Sequence, residues 1–196
     1  MIAWIDVETT GIDYENDNLL EIAMAITDDR AEEVVVYEGT GLIEYSDRSI
    51  DLMRRNATRK VEKMHSVSGL WDELKASSPL DGSSVSTASM DMLLVDFIAE
   101  AQNSACFYND SRELYLGGTS TLLDRMILNR DLPMTASMIH YHSIDTSTLE
   151  TVASVKKDFP IFRRKHKLNK PHRALDDVME SIEAYRHYLF HLGLLN

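Results

Sequence analysis

The feature that most constrains this chain is Ile2-Ala3-Trp4-Ile5-Asp6-Val7-Glu8-Thr9-Thr10-Gly11-Ile12, an apolar run that suddenly presents two carboxylates and then turns. Its first part reads as a buried strand. Successive side chains of a strand point to opposite faces, so Asp6 and Glu8 emerge side by side on one face while Ile5 and Val7 fill the other. Two acids so placed repel each other, and burying them without a counter-charge is costly. A divalent cation such as magnesium or manganese, which selects oxygen ligands, is the simplest repair. Gly11 then ends the strand and leaves space beside the pair. In a chain with 32 Asp and Glu a single D-x-E triplet is a weak signal, so its weight depends on its company.

Composition narrows the field. A length of 196 residues suits one well-filled core, and a single domain over residues 1–196 is expected. With 44% hydrophobic and 27% charged residues the balance is that of a soluble globular protein. No apolar run is long enough to span a bilayer, and the N-terminus lacks a basic region followed by an apolar signal core, so a cytoplasmic location is expected. Cys106 is the only cysteine, which excludes an intrachain disulfide and a Cys-built zinc site. A net charge of -12 argues against a protein that coats long nucleic acid, because that affinity comes from Lys and Arg replacing counterions. It leaves open a small anionic substrate held by metal ions, a few basic groups and backbone amides.

After the turn, Leu19 to Thr27 reads as a second strand with Glu21 as its one charged interruption, and Glu33 to Glu44 as a third. Short polar turns join them, which suggests an antiparallel meander. From Ile50 to about Lys75 the pattern is helical, with a break at Ser66 to Gly69 where Ser68 could cap the second piece. Ser77 to Ser89 reads as a loop. Met90, Leu93, Leu94, Phe97, Ile98 and Ala101 then recur at helical spacing.

A short strand at Leu114 to Leu116 ends in Gly117-Gly118, and Thr119 to Arg130 continues as a helix in which Asp124 lies among Leu123, Met126 and Ile127. Another strand covers roughly Met138 to Ile144, followed by a helix start at Asp145-Thr146-Ser147-Thr148. Lys156 to Lys170 is the one basic neighbourhood and reads by itself as a solvated loop. Leu175, Val178, Met179, Ile182, Tyr185, Leu189 and Leu192 mark a long C-terminal amphipathic helix. His187 and His191 stand one turn apart on it, without a third ligand near in sequence. Strands now alternate with helices, so the fold class is α/β: a mixed β-sheet, antiparallel meander plus parallel strands, flanked by α-helices.

Asp6, Glu8, Asp124, His172 and Asp177 each sit at a strand end or near a helix start. Together they resemble the DEDDh exonucleases of the ribonuclease H-like superfamily, whose motifs are a strand D-x-E, a mid-chain helical Asp and a C-terminal H-x-x-x-x-D, here His172-Arg173-Ala174-Leu175-Asp176-Asp177. Within that branch the chain is most similar to the oligoribonuclease family. The similarity covers Trp4 to Glu8, Leu20-Glu21-Ile22-Ala23, Met64-His65 with Ser68-Gly69-Leu70, Lys75-Ala76-Ser77, His140-Tyr141, Asp145 with Ser147-Thr148, and His172 to Asp177 followed by Glu180-Ser181.

The resemblance implies removal of nucleoside 5′-monophosphates from the 3′ end of very short single-stranded RNAs, and a homodimer. It implies two divalent cations, Mg2+ or Mn2+, about 4 Å apart and held by Asp6, Glu8, Asp124 and Asp177. His172 would deprotonate the attacking water. Ser120, His65, Tyr141 and Ser147 become candidate contacts to the terminal phosphate or ribose, and Ile12 a wedge against a base. Beside these stand plainer readings: His65 as a capping or packing group between helices, Tyr141 as core, Asp176 as a solvated first-turn acid.

The chain departs from the family pattern at Thr9-Thr10 (commonly Met-Thr), at Gly118-Thr119-Ser120 (usually Gly-Asn-Ser), at Lys60 where many members have a base-stacking Trp, and at His142 where an Arg reaches over from the partner subunit. Thr9-Thr10 and Lys60 favour an alternative within the branch, an exonuclease trimming DNA or longer RNA 3′ ends. A catalytically silent nucleic-acid-binding dimer on the same fold would instead bind without metal-dependent hydrolysis.

Overall fold

The computed structural model describes residues 1–104, 107, 113–162 and 172–195. Cys106 and most of the basic stretch at Lys156 to Lys170 lie outside the described residues. Among those described, no helix is long and apolar enough to cross a membrane.

The strand β1 (Ile2–Thr9) is buried on both sides and lies at the centre of a five-stranded sheet ordered β3-β2-β1-β4-β5. It pairs antiparallel with β2 (Leu19–Thr27), which pairs antiparallel with β3 (Val34–Val36), giving the meander read from the sequence. On its other side β1 runs parallel to β4 (Tyr115–Gly118), and β4 parallel to β5 (His140–Asp145). The helices are α1 (Asp47–Asn56), α2 (Arg59–Ser68), α3 (Leu70–Ala76), α4 (Thr87–Asn103), α5 (Leu122–Asp131), α6 (Pro133–Met138), α7 (Thr146–Ala153) and α8 (Ala174–His191). The mixed α/β class is as expected.

The two faces of β1 separate as strand alternation requires. Ala3, Ile5 and Val7 join a core with Met90, Leu94 and Ile98 of α4 and Ile127 and Leu128 of α5. Ile2 and Trp4 face the other way, onto Ala174, Val178 and Ile182 of α8. Continuing that second face along the strand gives Asp6 and Glu8, so the acids emerge on the side covered by α8. Trp4 is fully buried, donates its indole N–H to Thr27 Oγ1 at 2.9 Å and lies 5.2 Å from the ring of Tyr185. Its ring also lies over Gly117, where a Cβ would come within 2.7 Å of the indole and 2.5 Å of Ile2; glycine is what lets β4 approach this close.

Several boundaries differ from the sequence reading. The third strand is only three residues long, because the chain leaves the ladder at Glu38 to Thr40 and rejoins it afterwards, Gly41 O accepting from Ile22 N and Ile43 N donating to Leu20 O. The segment from 50 to 75 is broken twice, at Ala57-Thr58 and at Gly69. Gly69, at φ +79, both ends α2 and starts α3, a conformation glycine adopts without a Cβ clash, while Ser68 donates to His65 O in the last turn of α2 and does not cap α3. Helix α5 starts at Leu122, later than the expected Thr119. The short α6 had no periodic signal, and its N-terminus is held by a buried acid of another helix: Asp91 on α4 accepts from Met134 N, Thr135 N and Thr135 Oγ1 at 2.9, 2.7 and 2.7 Å. On α8 the buried stripe is Ala174, Val178, Ile182 and Tyr188, while Leu175, Met179 and Leu192 are exposed.

Candidate active site

Two remote parts of the chain meet at the C-terminal end of β1. Asp6 and Glu8 project from the strand, and α8 brings Asp177 in its first turn. Each of the three offers a carboxylate oxygen, and these oxygens all lie within 4.8 Å of one another. No other group of His, Cys, Asp and Glu suited to a metal comes together among the described residues.

Asp124 enters from the opposite side. The parallel pairing of β1 with β4 stops at Trp4 and Gly117, so the Val7 amide has no strand partner on that flank. Asp124, buried in the first turn of α5, supplies the missing acceptor through Oδ1 at 3.1 Å. That bond fixes α5 to the strand between Asp6 and Glu8. Asp124 therefore borders the trio, its contact with the strand made through the backbone.

Electrostatics record the crowding. Burial, followed by the charges of Asp177 and Glu21, pushes the Glu8 carboxyl up to about 8. Asp6 is raised well above the ordinary carboxylate range by burial and then by Asp124, Glu8 and Asp177. Burial also raises Asp124, against the lowering effect of its bond to Val7. Without cations such groups relieve their repulsion by taking up protons. Hard carboxylate oxygens so closely spaced are the donor set that magnesium or manganese selects, so the residues present fit such ions.

His172 lies on the segment leading into α8, its ring nearly half exposed and its Nδ1 3.9 Å from Asp177 Oδ2. The five residues singled out by the sequence motifs thus converge on one end of the sheet.

The other candidates are placed less uniformly. Ile12 is 87% exposed, on a loop packed from both sides. On the inside Asp17 accepts from Thr10 Oγ1 at 2.7 Å and from Asp13 N at 2.8 Å. On the outside Arg130, at the end of α5, donates to the carbonyls of Tyr14 and Asp17 and is oriented by Asp131. Ser120 is exposed with φ +59, and its N–H donates to Asp145 Oδ1. Asp145 also accepts from Thr121 N and from both N and Oγ of Ser147, so one carboxylate joins the starts of α5 and α7.

Tyr141 is 79% exposed on β5, so it is not core. It belongs to an aromatic cluster with His140 and His142. His65, in contrast, has no exposure. Its Nε2 bonds Thr9 O at 2.8 Å, its ring meets Trp71 edge-on, and its Nδ1 lies 3.8 Å from Glu8 Oε2. This is the packing reading of His65, beneath the acids and out of reach of solvent. Lys60 stands exposed on α2. His187 and His191 have ring centroids 4.4 Å apart, and His187 is tied to the Pro160 carbonyl.

The sequence reading assigned no role to a second layer of charge. Glu21 on β2 lies in register opposite Glu8, and Arg173 grips it with Nε at 3.1 Å from each oxygen and Nη2 at 2.7 Å from Oε1. The signal was there in a single charge interrupting an apolar strand.

No protein-family model matches the chain. Curated relatives do. It is 32% identical over 188 residues to the oligoribonuclease of Mycobacterium tuberculosis, covering 95% of this chain and 79% of that protein. The chain belongs to the oligoribonuclease family. Family members from Halorhodospira halophila and Neisseria meningitidis are 32% and 30% identical, with 91% of each covered. Among solved structures, exonuclease I from Methylocaldum szegediense superposes with a TM-score of 0.60 at 13% identity over 96% of this chain. That likeness is one of fold, and the chain spans 40% of that exonuclease I chain. The oligoribonuclease family and the ribonuclease H-like mixed sheet are as the motifs implied.

Proposed function

We propose that this protein is a 3′→5′ exoribonuclease that degrades short oligoribonucleotides, dinucleotides included, to nucleoside 5′-monophosphates, with residues 1–196 acting as one cytoplasmic exonuclease domain. The observation that carries the reading is the convergence of Asp6, Glu8 and Asp177 within 4.8 Å in a chain of the oligoribonuclease family.

Asp6, Glu8, Asp124 and Asp177 would hold two divalent cations, Mg2+ or Mn2+, which when bound supply Lewis-acid stabilisation of the attacking and departing oxygens. His172 takes a proton from the attacking water as its oxygen bonds to phosphorus. The bond from phosphorus to the 3′ oxygen of the preceding nucleotide breaks, and that oxygen regains a proton. Asp177, 3.9 Å from the imidazole, steadies it while it carries the proton. Ile12 supports one face of a base. Ser120 presents a hydroxyl for a phosphate or ribose, and Ser147, whose hydroxyl proton goes to Asp145, offers its oxygen to a ribose hydroxyl. His65 acts from beneath, holding Thr9 and flanking Glu8.

A homodimer fits the outer flank. β5 is an edge strand, and beside it lies a hollow of ≈ 680 Å³ lined by Leu122, Arg125 and Tyr141 among others. Leu122 and Tyr141 are exposed there, an apolar surface suited to a second copy. Tyr141 would then serve the partner's site.

Asp177→Ala and His172→Ala should each abolish manganese-dependent release of mononucleotides from a short RNA while far-UV circular dichroism stays unchanged. Undiminished turnover in both variants sinks the assignment. The exposed Lys60 favours the alternative of longer RNA or DNA ends, and a length series from two nucleotides upward on both polymers separates the two.

A further inference from the structure

Glu21 is a fifth carboxylate at the site. It lies opposite Glu8 across the β1–β2 ladder, and directly paired residues project to the same face, so its natural direction is toward Asp6 and Glu8. It is 7% exposed, and its charge adds to the burden on both acids. Arg173 turns it aside. The guanidinium holds both Glu21 oxygens and uses Nη1 to bind Glu73 of α3 at 2.6 Å.

So held, Glu21 has a second duty. Arg173 is the residue preceding α8 and makes no side-chain cap of its own; instead Glu21 Oε2 accepts from Ala174 N at 3.2 Å. The carboxylate of a β-strand thereby caps the helix that presents Asp177, and the arginine that neutralises it is the immediate neighbour of His172. Placement of the base and of the fourth-motif acid passes through one ion pair.

We propose that Arg173 and Glu21 are positioning residues for the reaction: Arg173 keeps the Glu21 carboxylate out of the acidic cluster, and Glu21 in turn fixes the first turn of α8. This rests on the exonuclease reading above. It makes a prediction a merely stabilising salt bridge would not. Deleting one partner of a buried pair leaves an uncompensated charge, whereas neutralising both does not. In Arg173→Gln the freed Glu21 carboxylate joins the cluster. In the Arg173→Gln/Glu21→Gln double variant the amide that replaces this carboxylate still offers an oxygen to Ala174 N but adds no charge.

The test measures kcat and KM on a dinucleotide RNA, and manganese binding by calorimetry, in the intact protein. Arg173→Gln should lower kcat by about 10–100-fold, the range for groups that orient metal-binding residues, with KM nearly unchanged and manganese bound at least as tightly. The double variant should recover most of that loss. A double variant no more active than Arg173→Gln, or a kcat in Arg173→Gln equal to the parent's, overturns the proposal. If circular dichroism shows that Arg173→Gln does not fold, Arg173→Lys replaces it, keeping the charge without the two-pronged grip. A lower kcat at unchanged KM and manganese affinity then supports the role, and parental kcat refutes it. A parent protein that releases no mononucleotides would defeat the exonuclease reading instead, and the manganese titrations would still report on Arg173.

Discussion

Asp124 accepts the amide proton of Val7 at 3.1 Å, so the helix that carries the third motif acid is bonded to the strand midway between the first two. Charge and hydrogen bonding at this residue can be separated. Asp124→Asn keeps an oxygen for Val7 N and should not lower the midpoint in urea, while kcat falls by at least about 100-fold because the proposed cation ligand is neutralised. Asp124→Ala removes both and should also cost about 1–3 kcal/mol, the penalty for leaving a buried donor unpaired. Equal stability of the two variants would show that the bond carries no weight.

The raised acids make the metal-free protein sensitive to pH. Glu8 titrates at about 8 in the fold against its ordinary 4.5, so between these values the folded form binds more protons than the unfolded form and stability falls as pH rises. The melting temperature without metal should decline across that window and level off above it, with Glu8→Gln showing a shallower decline. On the proposed reading manganese would bind the deprotonated set, and it should then raise the melting temperature most near pH 8. A metal-free profile identical in Glu8→Gln would contradict the assignment.

The loop carrying Ile12 is anchored by Arg130 through the carbonyls of Tyr14 and Asp17. Arg130→Ala frees the loop without touching the acids. Ordering it would then fall on the binding step, and KM for a short RNA should rise by roughly tenfold with kcat little changed. A fall in kcat at constant KM would point to damage in the acidic cluster.

Asp91 caps α6 from α4, far in sequence from every site residue. Asp91→Ala should lower stability by about 1–2 kcal/mol, at the upper end for a lost helix cap because it is buried. Chemical denaturation would register the loss as a lower midpoint with unchanged slope, and turnover at about 25 °C should stay at the parental value.

Much of this arrangement is legible in the sequence. Asp6 and Glu8 share a face because strands alternate, and the shift from a period of two to a period of about 3.6 after Glu44 separates meander from helices. What pattern alone does not reveal is which groups meet across the chain. Asp91, Asp145 and Glu21 look like ordinary acids in their segments, yet each accepts backbone protons from an element or a loop it is not part of. The same limit applies to His65, whose neighbours suggest either burial or contact with a ligand until Trp71 is seen against its ring. Helix α6 escapes notice because six residues are too few to show a period, and its stability is borrowed from α4.

Asp145 gathers Ser120 N, Thr121 N, Ser147 N and Ser147 Oγ onto one carboxylate. The gap between the two serines is consequently set by the width of a single small group, and thermal motion of either flanking segment carries both along. A ligand that touches the pair meets a ruler of fixed length.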